Sequence, residues 1–327
     1  MRIYLSTISC LFKSNLFRSF EQIARYLDRH LSFIPLTFIL GFYVSTIISR
    51  WTVIFRNMGY IESQALFVSN YVQGDDEVTR LQRRAMVRYM CLSQALVFRD
   101  ISVAVRKRFP TYDSLVKAGF MLEHEKEKLL GYQLNYDKYW VPINWSYNLF
   151  FEARRAGKIT SDVMTNKMCD ELKVFRTNLQ MLCNYDWVPL PLVYPQVIML
   201  AVYFYFLVCL ISRQFILTGE EEFAEKSNVD LVVPVMTIVE FVFYVGWMKA
   251  AEVLLNPMGE DDDDFECNYL LDKNLATSLC IVDECRADAP PVGTDQFWES
   301  GQVEQIYSRA SAVIHQHPLI GSAIHAR

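Results

Sequence analysis

Asp261, Asp262, Asp263 and Asp264 stand consecutively between Glu260 and Phe265-Glu266, directly after Asn256-Pro257-Met258-Gly259. Carboxylates crowded this closely raise one another's cost of ionisation unless a cation offsets the charge. Pro257 and Gly259 break the apolar helix expected before them and free main-chain oxygens as further donors. Two carboxylates and main-chain carbonyls are a hard, all-oxygen set of the kind calcium takes at about 2.3–2.6 Å. Asp261 and Asp264, at i and i+3, share one face if a helix starts here, whereas the D-x-D-x-D-G spacing of an EF-hand is missing. A second reading stays open, since Asp and Glu also suit the first turn of a solvated helix.

Other chemistry is sparse. His30, His124, His315, His317 and His325 are scattered, and no nucleophile triad, Walker loop or dinucleotide fingerprint occurs, so no enzyme is expected. The eight cysteines (Cys10, Cys91, Cys169, Cys183, Cys209, Cys267, Cys280, Cys285) show neither C-x-x-C spacing nor His partners and are expected to be reduced. With a net charge of -5 and no dense basic tract, nucleic acid is not an expected partner.

The elements that hold these residues belong partly in a bilayer. The chain is 52% hydrophobic with 21% charged residues, which predicts a membrane protein with a substantial aqueous part. Leu31 to Ser49 carries no charge and covers roughly 28 Å as a helix, close to a hydrocarbon core. Trp187 to Ser212 is equally free of charge, and Leu231 to Met248 is interrupted only by Glu240 before Lys249 and Glu252. Glu240 is costly in a membrane unless it faces protein or water, so it has either a function or a hydrogen-bonded packing role. Residues 50–190 hold 20 of the 32 Lys and Arg, while the 212–230 loop opposes Arg213 and Lys226 with five acidic residues. The middle region and the acidic run therefore belong in the cytosol. Lys13, Arg18, Arg25 and Arg29 conflict with an external N-terminus, as though a further span had been lost from the front.

Within the first span, Ile34, Phe38 and Phe42 recur at i, i+4 and i+8 beside a ridge of small residues, Thr37, Gly41 and Ser45. Small residues let membrane helices approach closely. The bulky ridge either faces lipid and core or, repeated by several subunits, forms a constriction that gates by dewetting. In the aqueous region Arg80, Arg84 and Arg88 share a helical face, Phe109-Pro110-Thr111 marks a break, Lys117 to Leu130 reads as one polar helix, and Ser161 to Leu182 as another capped by Ser161 or Asp162.

Several independent strings carry a resemblance to a known family. They are Ile34-Pro35 with Phe38 to Val44 and Arg50-Trp51; Arg108-Phe109-Pro110; Ala118-Gly119-Phe120-Met121; Tyr185-Asp186-Trp187; Pro191-Leu192-Val193-Tyr194; Arg213-Gln214-Phe215; Asp230 to Pro234; Tyr244-Val245-Gly246-Trp247; and Asn256 to Glu266. From about Phe20 to Trp298 the chain resembles the bestrophins, calcium-activated chloride channels. The resemblance implies an all-α, multi-pass cell-membrane protein in a lipid bilayer with a large cytosolic helical region, a homopentamer around one central pore, with chloride as permeant ion and calcium as regulator. It implies a neck matching Ile34, Phe38 and Phe42, a cytosolic aperture matching Val163, and a calcium clasp in which Asp261 and Asp264 ligate by side chain and Val253 and Asn256 by main chain. Residues 1–19 depart from the family pattern, which implies an incomplete N-terminus and, as an alternative function, a non-conducting subunit that modulates related subunits.

The expected plan is a divergent N-terminal segment at 1–30 lacking the family's first span, a pore-lining helix at 31–56, a cytosolic helical region at 57–186 and a transmembrane helix at 187–213. An extracellular loop at 214–230, a transmembrane helix at 231–255 and a cytosolic clasp and C-terminal region at 256–327 complete it.

Overall fold

The computed structural model describes residues 19–213, 234–295, 297–299 and 301. The first eighteen residues of the segment expected to diverge, with Lys13 and Arg18, the 214–230 loop and the start of the 231–255 span lie outside the described residues. The described residues divide into two units after Arg286. Among the described residues every regular element is helical.

Helix α1 (residues 19–30) leads through a 3-10 turn, Leu31–Phe33, into α2, Leu36–Arg56. Then come α3 (Glu62–Tyr71), α4 (Glu77–Ile101), α5 (Val103–Arg108), α6 (Tyr112–Lys117), α7 (Glu123–Gly131), α8 (Trp140–Arg155) and α9 (Asp162–Trp187). The first unit ends with α10 (Val193–Ser212), α11 (Val235–Val253) and α12 (Cys267–Asp283). Only α2 and α10, among the described residues, are long and apolar enough to cross a membrane. Helix α11 carries Glu240, Lys249 and Glu252, more charge than the other two. The second expected span starts late because Trp187 closes α9 and prolines at 189 and 191 separate it from α10.

Two apolar cores divide the first unit. One, built from Leu36, Leu40, Tyr43, Val44 and Ile47 of α2 with Ile198, Val202 and Phe206 of α10 and Met248 and Ala251 of α11, joins the three most apolar helices. The larger core gathers α3, α4, α8, α9 and α12 and includes Ile54, near the lower end of α2. Helix α2 therefore runs from one core into the other.

Helix α4 is the axis of the larger core. Asp76 caps it, accepting from Thr79 N at 3.0 Å, and hydrogen bonds from Thr79 and Lys158 hold the Asp76 carboxyl at about 2. Its residues from Met90 to Phe98 are buried all round, as expected of a helix covered on every side. On the Arg face, Arg80 pairs with Asp283 at 3.0 Å and Arg84 pairs with the same carboxylate. Arg88 grips Glu125 through two contacts of 2.6 Å, and Tyr89 Oη adds a third bond at 2.8 Å. Helix α9 buries Thr165, Met168, Leu172, Phe175, Leu179 and Leu182, an alternating 3–4 spacing that makes one straight stripe. Ser161 is its cap, accepting from Met164 N at 3.3 Å.

The polar helix expected from Lys117 to Leu130 is two helices. Gly119 turns between them at φ +83, a left-handed conformation that favours glycine, and Glu125 folds back on Leu122 N at 2.8 Å to start α7.

Candidate functional site

The upper part of α2 presents two unpacked ridges. Ile34 is not on the helix: it is extended at φ -90 and ψ 101, the conformation Pro35 imposes on the residue before it. Phe38 and Phe42 lie on the helix, 65% and 59% exposed, with their rings edge to face at 4.7 Å. The small ridge does not form a close helix contact inside the subunit. A carbon added at Gly41 would meet nothing within 4 Å, and Ser45 is exposed. Thr37 shares a 2.6 Å hydrogen bond with Tyr244 of α11. Packing falls instead to the Leu36, Leu40, Tyr43 and Ile47 face. Val163, in the first turn of α9, is 66% exposed. It stands about 22 residues from Tyr185, roughly 33 Å along that helix, and Tyr185 O and Val188 O accept from Arg50 of α2.

The acidic run is a closed turn and not the first turn of a helix. Helix α12 begins only at Cys267 and has no acidic residue in its first turn, which removes the solvated helix-start reading. Asp264 Oδ2 accepts from Asp261 N at 2.8 Å, and Asp264 N donates to Asp261 O at 3.0 Å. Phe265 N reaches back to Pro257 O at 2.9 Å. The two aspartates expected to share a helical face are thus brought together by a turn in which one side chain faces the other's main chain. Gly259 lies inside it: a Cβ there would stand 2.6 Å from Asp264 Oδ2 and 3.5 Å from Asn256 O. Val253 is the last residue of α11, and its carbonyl is among those left without an intrahelical partner. Side chains alone do not gather into a metal cluster among the described residues. Asp264 Oδ2 and Asn256 O both face the Gly259 position, one carboxylate and one main-chain oxygen of the hard type that calcium takes. Lys107 of α5 neutralises Glu260 at 2.6 Å.

The next residue links this turn to α2. Phe265 packs on Trp51 at 5.0 Å and on Phe55 at 5.8 Å, and Trp51 stacks on Phe55. Sequence reasoning did not single out this contact. Its signal is the i, i+4 aromatic pair on α2 and an aromatic immediately after the acidic run. Glu240, for which two roles were open, accepts from Tyr205 Oη at 2.7 Å and lies 3.8 Å from Arg213, which also pairs with Asp28. That is the hydrogen-bonded packing arrangement.

Known proteins match the stretch of chain that holds these residues. A family model described as "Bestrophin, RFP-TM, chloride channel" matches residues 2–284, so the match begins well ahead of Phe20, where the resemblance is expected to begin, and takes in the segment expected to diverge. Bestrophin homolog 15 of Caenorhabditis elegans is 50% identical over 97% of this chain and 62% of its own length. Bestrophin homolog 24 of the same organism is 49% identical over 93% of this chain and 48% of its own. Mouse Bestrophin-2 is 42% identical over 92% and 59%. The chain thus spans about half to three fifths of these relatives. Among solved structures, a variant of a bacterial bestrophin homolog from Klebsiella pneumoniae superposes with a TM-score of 0.60 at 17% identity, covering 84% of this chain and 98% of that one. At that identity the likeness concerns the fold.

Proposed function

Since this chain belongs to the bestrophin family, we propose that it is the subunit of a calcium-activated chloride channel, a homopentamer of the cell membrane, and not an enzyme. The observation that carries the reading is the unpacked Phe38–Phe42 ridge on a helix whose opposite face is fully packed. Five such ridges around an axis make a narrow apolar neck. Chloride passes it only by shedding water, while ring edges offer the positive end of the aromatic quadrupole. Ile34 adds to the neck from the extended residue above the helix, and Val163 forms a second apolar ring at the cytosolic aperture. In this topology residues 57–186 and 256–327 are cytosolic and the 214–230 loop is external.

Asp261 and Asp264 would hold calcium by their side chains, and Val253 and Asn256 by their carbonyls. The ion supplies positive charge that offsets the acidic run. The chain's own residues do the coupling: the turn that positions Asp264 also positions Phe265, whose ring rests on Trp51 and Phe55 of the neck helix. A ligand shifts such an equilibrium only through its preference for one state, so occupancy must favour the turn geometry that goes with the wider neck.

The test is anion current across a planar bilayer holding the purified protein, with calcium stepped on the cytosolic side. The expected result is chloride current that rises with calcium, loses its calcium dependence when Asp261 and Asp264 are both alanine, and leaks without calcium in Phe38→Ala or Phe42→Ala. Silence of correctly inserted protein at every calcium concentration refutes the reading.

A further inference from the structure

Every described cysteine has a free thiol, and two of them do not belong to either core or to the proposed channel machinery. Cys280 lies in the last turn of α12, and Cys285 follows its C-cap, Glu284. Main-chain N atoms of Glu284 and Cys285 both donate to Cys280 O, at 2.9 and 3.1 Å. This reversal folds the chain back over the end of the helix and brings the two Sγ atoms to 3.8 Å, van der Waals contact for sulfur. Cys285 is exposed and Cys280 half-buried. A disulfide bond is about 2.05 Å long, a gap that side-chain rotation at a helix end can close.

We infer that Cys280 and Cys285 are a reversible dithiol–disulfide site whose oxidant is a low-molecular-weight disulfide of the glutathione class. Exposed Cys285 reacts first. Its sulfur, having lost its proton, attacks one sulfur of the small disulfide; that S–S bond breaks and the departing thiolate takes up a proton. Cys280 then gives up its proton and attacks the Cys285 sulfur of the mixed disulfide, forming the Cys280–Cys285 bond and expelling the second small thiol. Two protein thiols are oxidised and one small disulfide is reduced to two thiols. The order follows from the surroundings: the Cys285 sulfur beside it, partial burial and the Glu284 carboxylate push the Cys280 thiol up, so it serves as the resolving partner.

The site matters because of what its turn holds. Asp283, between the two cysteines, anchors Arg80 and Arg84 of α4, Ile281 O accepts from Ser69 of α3 at 3.0 Å, and Arg286 pairs with Asp75. A bond across this turn fixes the end of α12 where α3 and α4 are tied to it.

The experiment uses the full chain in detergent, equilibrated in buffers of reduced and oxidised glutathione, quenched with N-ethylmaleimide and digested with trypsin. Cleavage after Lys273 and Arg286 yields the peptide Asn274–Arg286, which holds both cysteines and no other. Expected is a peptide with two maleimides under reducing conditions, replaced on oxidation by one without maleimide and two hydrogens lighter, and restored by dithiothreitol. Because any close cysteine pair oxidises to some degree, the same titration is run on the urea-unfolded chain. The folded protein should reach its midpoint at a glutathione ratio about tenfold more reducing, and Cys285→Ser should abolish the lighter peptide. Persistent double alkylation, arrest at a glutathione adduct on Cys285, or equal folded and unfolded midpoints would each overturn the inference.

Discussion

Replacing Gly259 by alanine puts a methyl group where Asp264 turns back on its own loop. The new carbon would stand 2.6 Å from Asp264 Oδ2, closer than such atoms approach, so the carboxylate has to rotate. Gly259 is not among the glycines with positive φ, and the substitution therefore acts through this contact and not through backbone strain. Rotation breaks the 2.8 Å bond from Asp261 N. Hydrogen bonds to charged groups contribute about 1.5–3 kcal/mol, and an exposed loop belongs at the low end. At about 1.4 kcal/mol per factor of ten, the calcium needed for half-maximal chloride current should rise roughly tenfold. Inside-out patches with calcium stepped on the cytosolic face measure it directly. Gly41→Ala is the matched comparison, because its added carbon meets nothing within 4 Å in the subunit, and its calcium half-point should stay where it was. An unchanged half-point in Gly259→Ala, at normal maximal current, refutes the assignment of Asp264 to the cation.

Phe265→Ala should leave calcium binding in place, read by calorimetry, while reducing the current that saturating calcium evokes; a full-sized response would exclude the aromatic contact as the link. Glu125→Gln leaves Arg88 buried without its charged partner, which should cost about 3–5 kcal/mol and lower the melting temperature of the solubilised protein by several degrees. Burial opposes ionisation of Glu125, but hydrogen bonds from Arg88, Leu122 N and Tyr89 outweigh it and hold the carboxyl below the usual range. Its contribution is therefore present above the ordinary carboxylate pKa and disappears as pH falls through the lowered one, so acid melting curves of the wild type and Glu125→Gln should converge once the pH is below that lowered value. Leu172→Ala, at a fully buried position of the α9 stripe, should destabilise by about 2–5 kcal/mol in denaturant titration without moving the calcium half-point.

Periodicity and punctuation made the helices of the larger core legible. The Ser161 cap and the break at Phe109-Pro110 rest on interactions within one or two turns, and the Arg80, Arg84 and Arg88 face follows from i, i+4 spacing alone although its partners Asp283 and Glu125 lie far along the chain. Span limits were less legible, because an uncharged run says nothing of where a helix starts: Pro35 delays α2, and the prolines at 189 and 191 hand Trp187 to α9. The Lys117 to Leu130 pattern hid a turn whose only sign is Gly119. At the acidic run composition pointed to a cation, but spacing suggested a helical face where the chain makes a turn, since the hydrogen bond from Phe265 N to Pro257 O joins positions no helical period connects. The contact of Phe265 with Trp51 joins residues more than two hundred positions apart, and no local pattern encodes it.

The junction after α2 gives that contact a mechanical sense. Gln94 of α4 donates to Met58 O at 2.6 Å and to Gly59 O at 2.7 Å, and Asn274 of α12 donates to Gly59 O at 2.9 Å and to Gln94 Oε1 at 2.8 Å. Both amides are buried, and Gly59 adopts φ +88 with Phe175 and Gln94 against the space a side chain would need. The base of α2 is thereby a fulcrum, fixed by bonds that would be expensive to leave unmade. At about 1.5 Å per residue, Trp51 lies roughly 10 Å above it and Phe38 roughly 30 Å. In the proposed channel, a sideways push by Phe265 would be geared up about threefold by the time it reached Phe38, so a displacement of well under an ångström beside the acidic turn would become one large enough to matter to an ion losing its water.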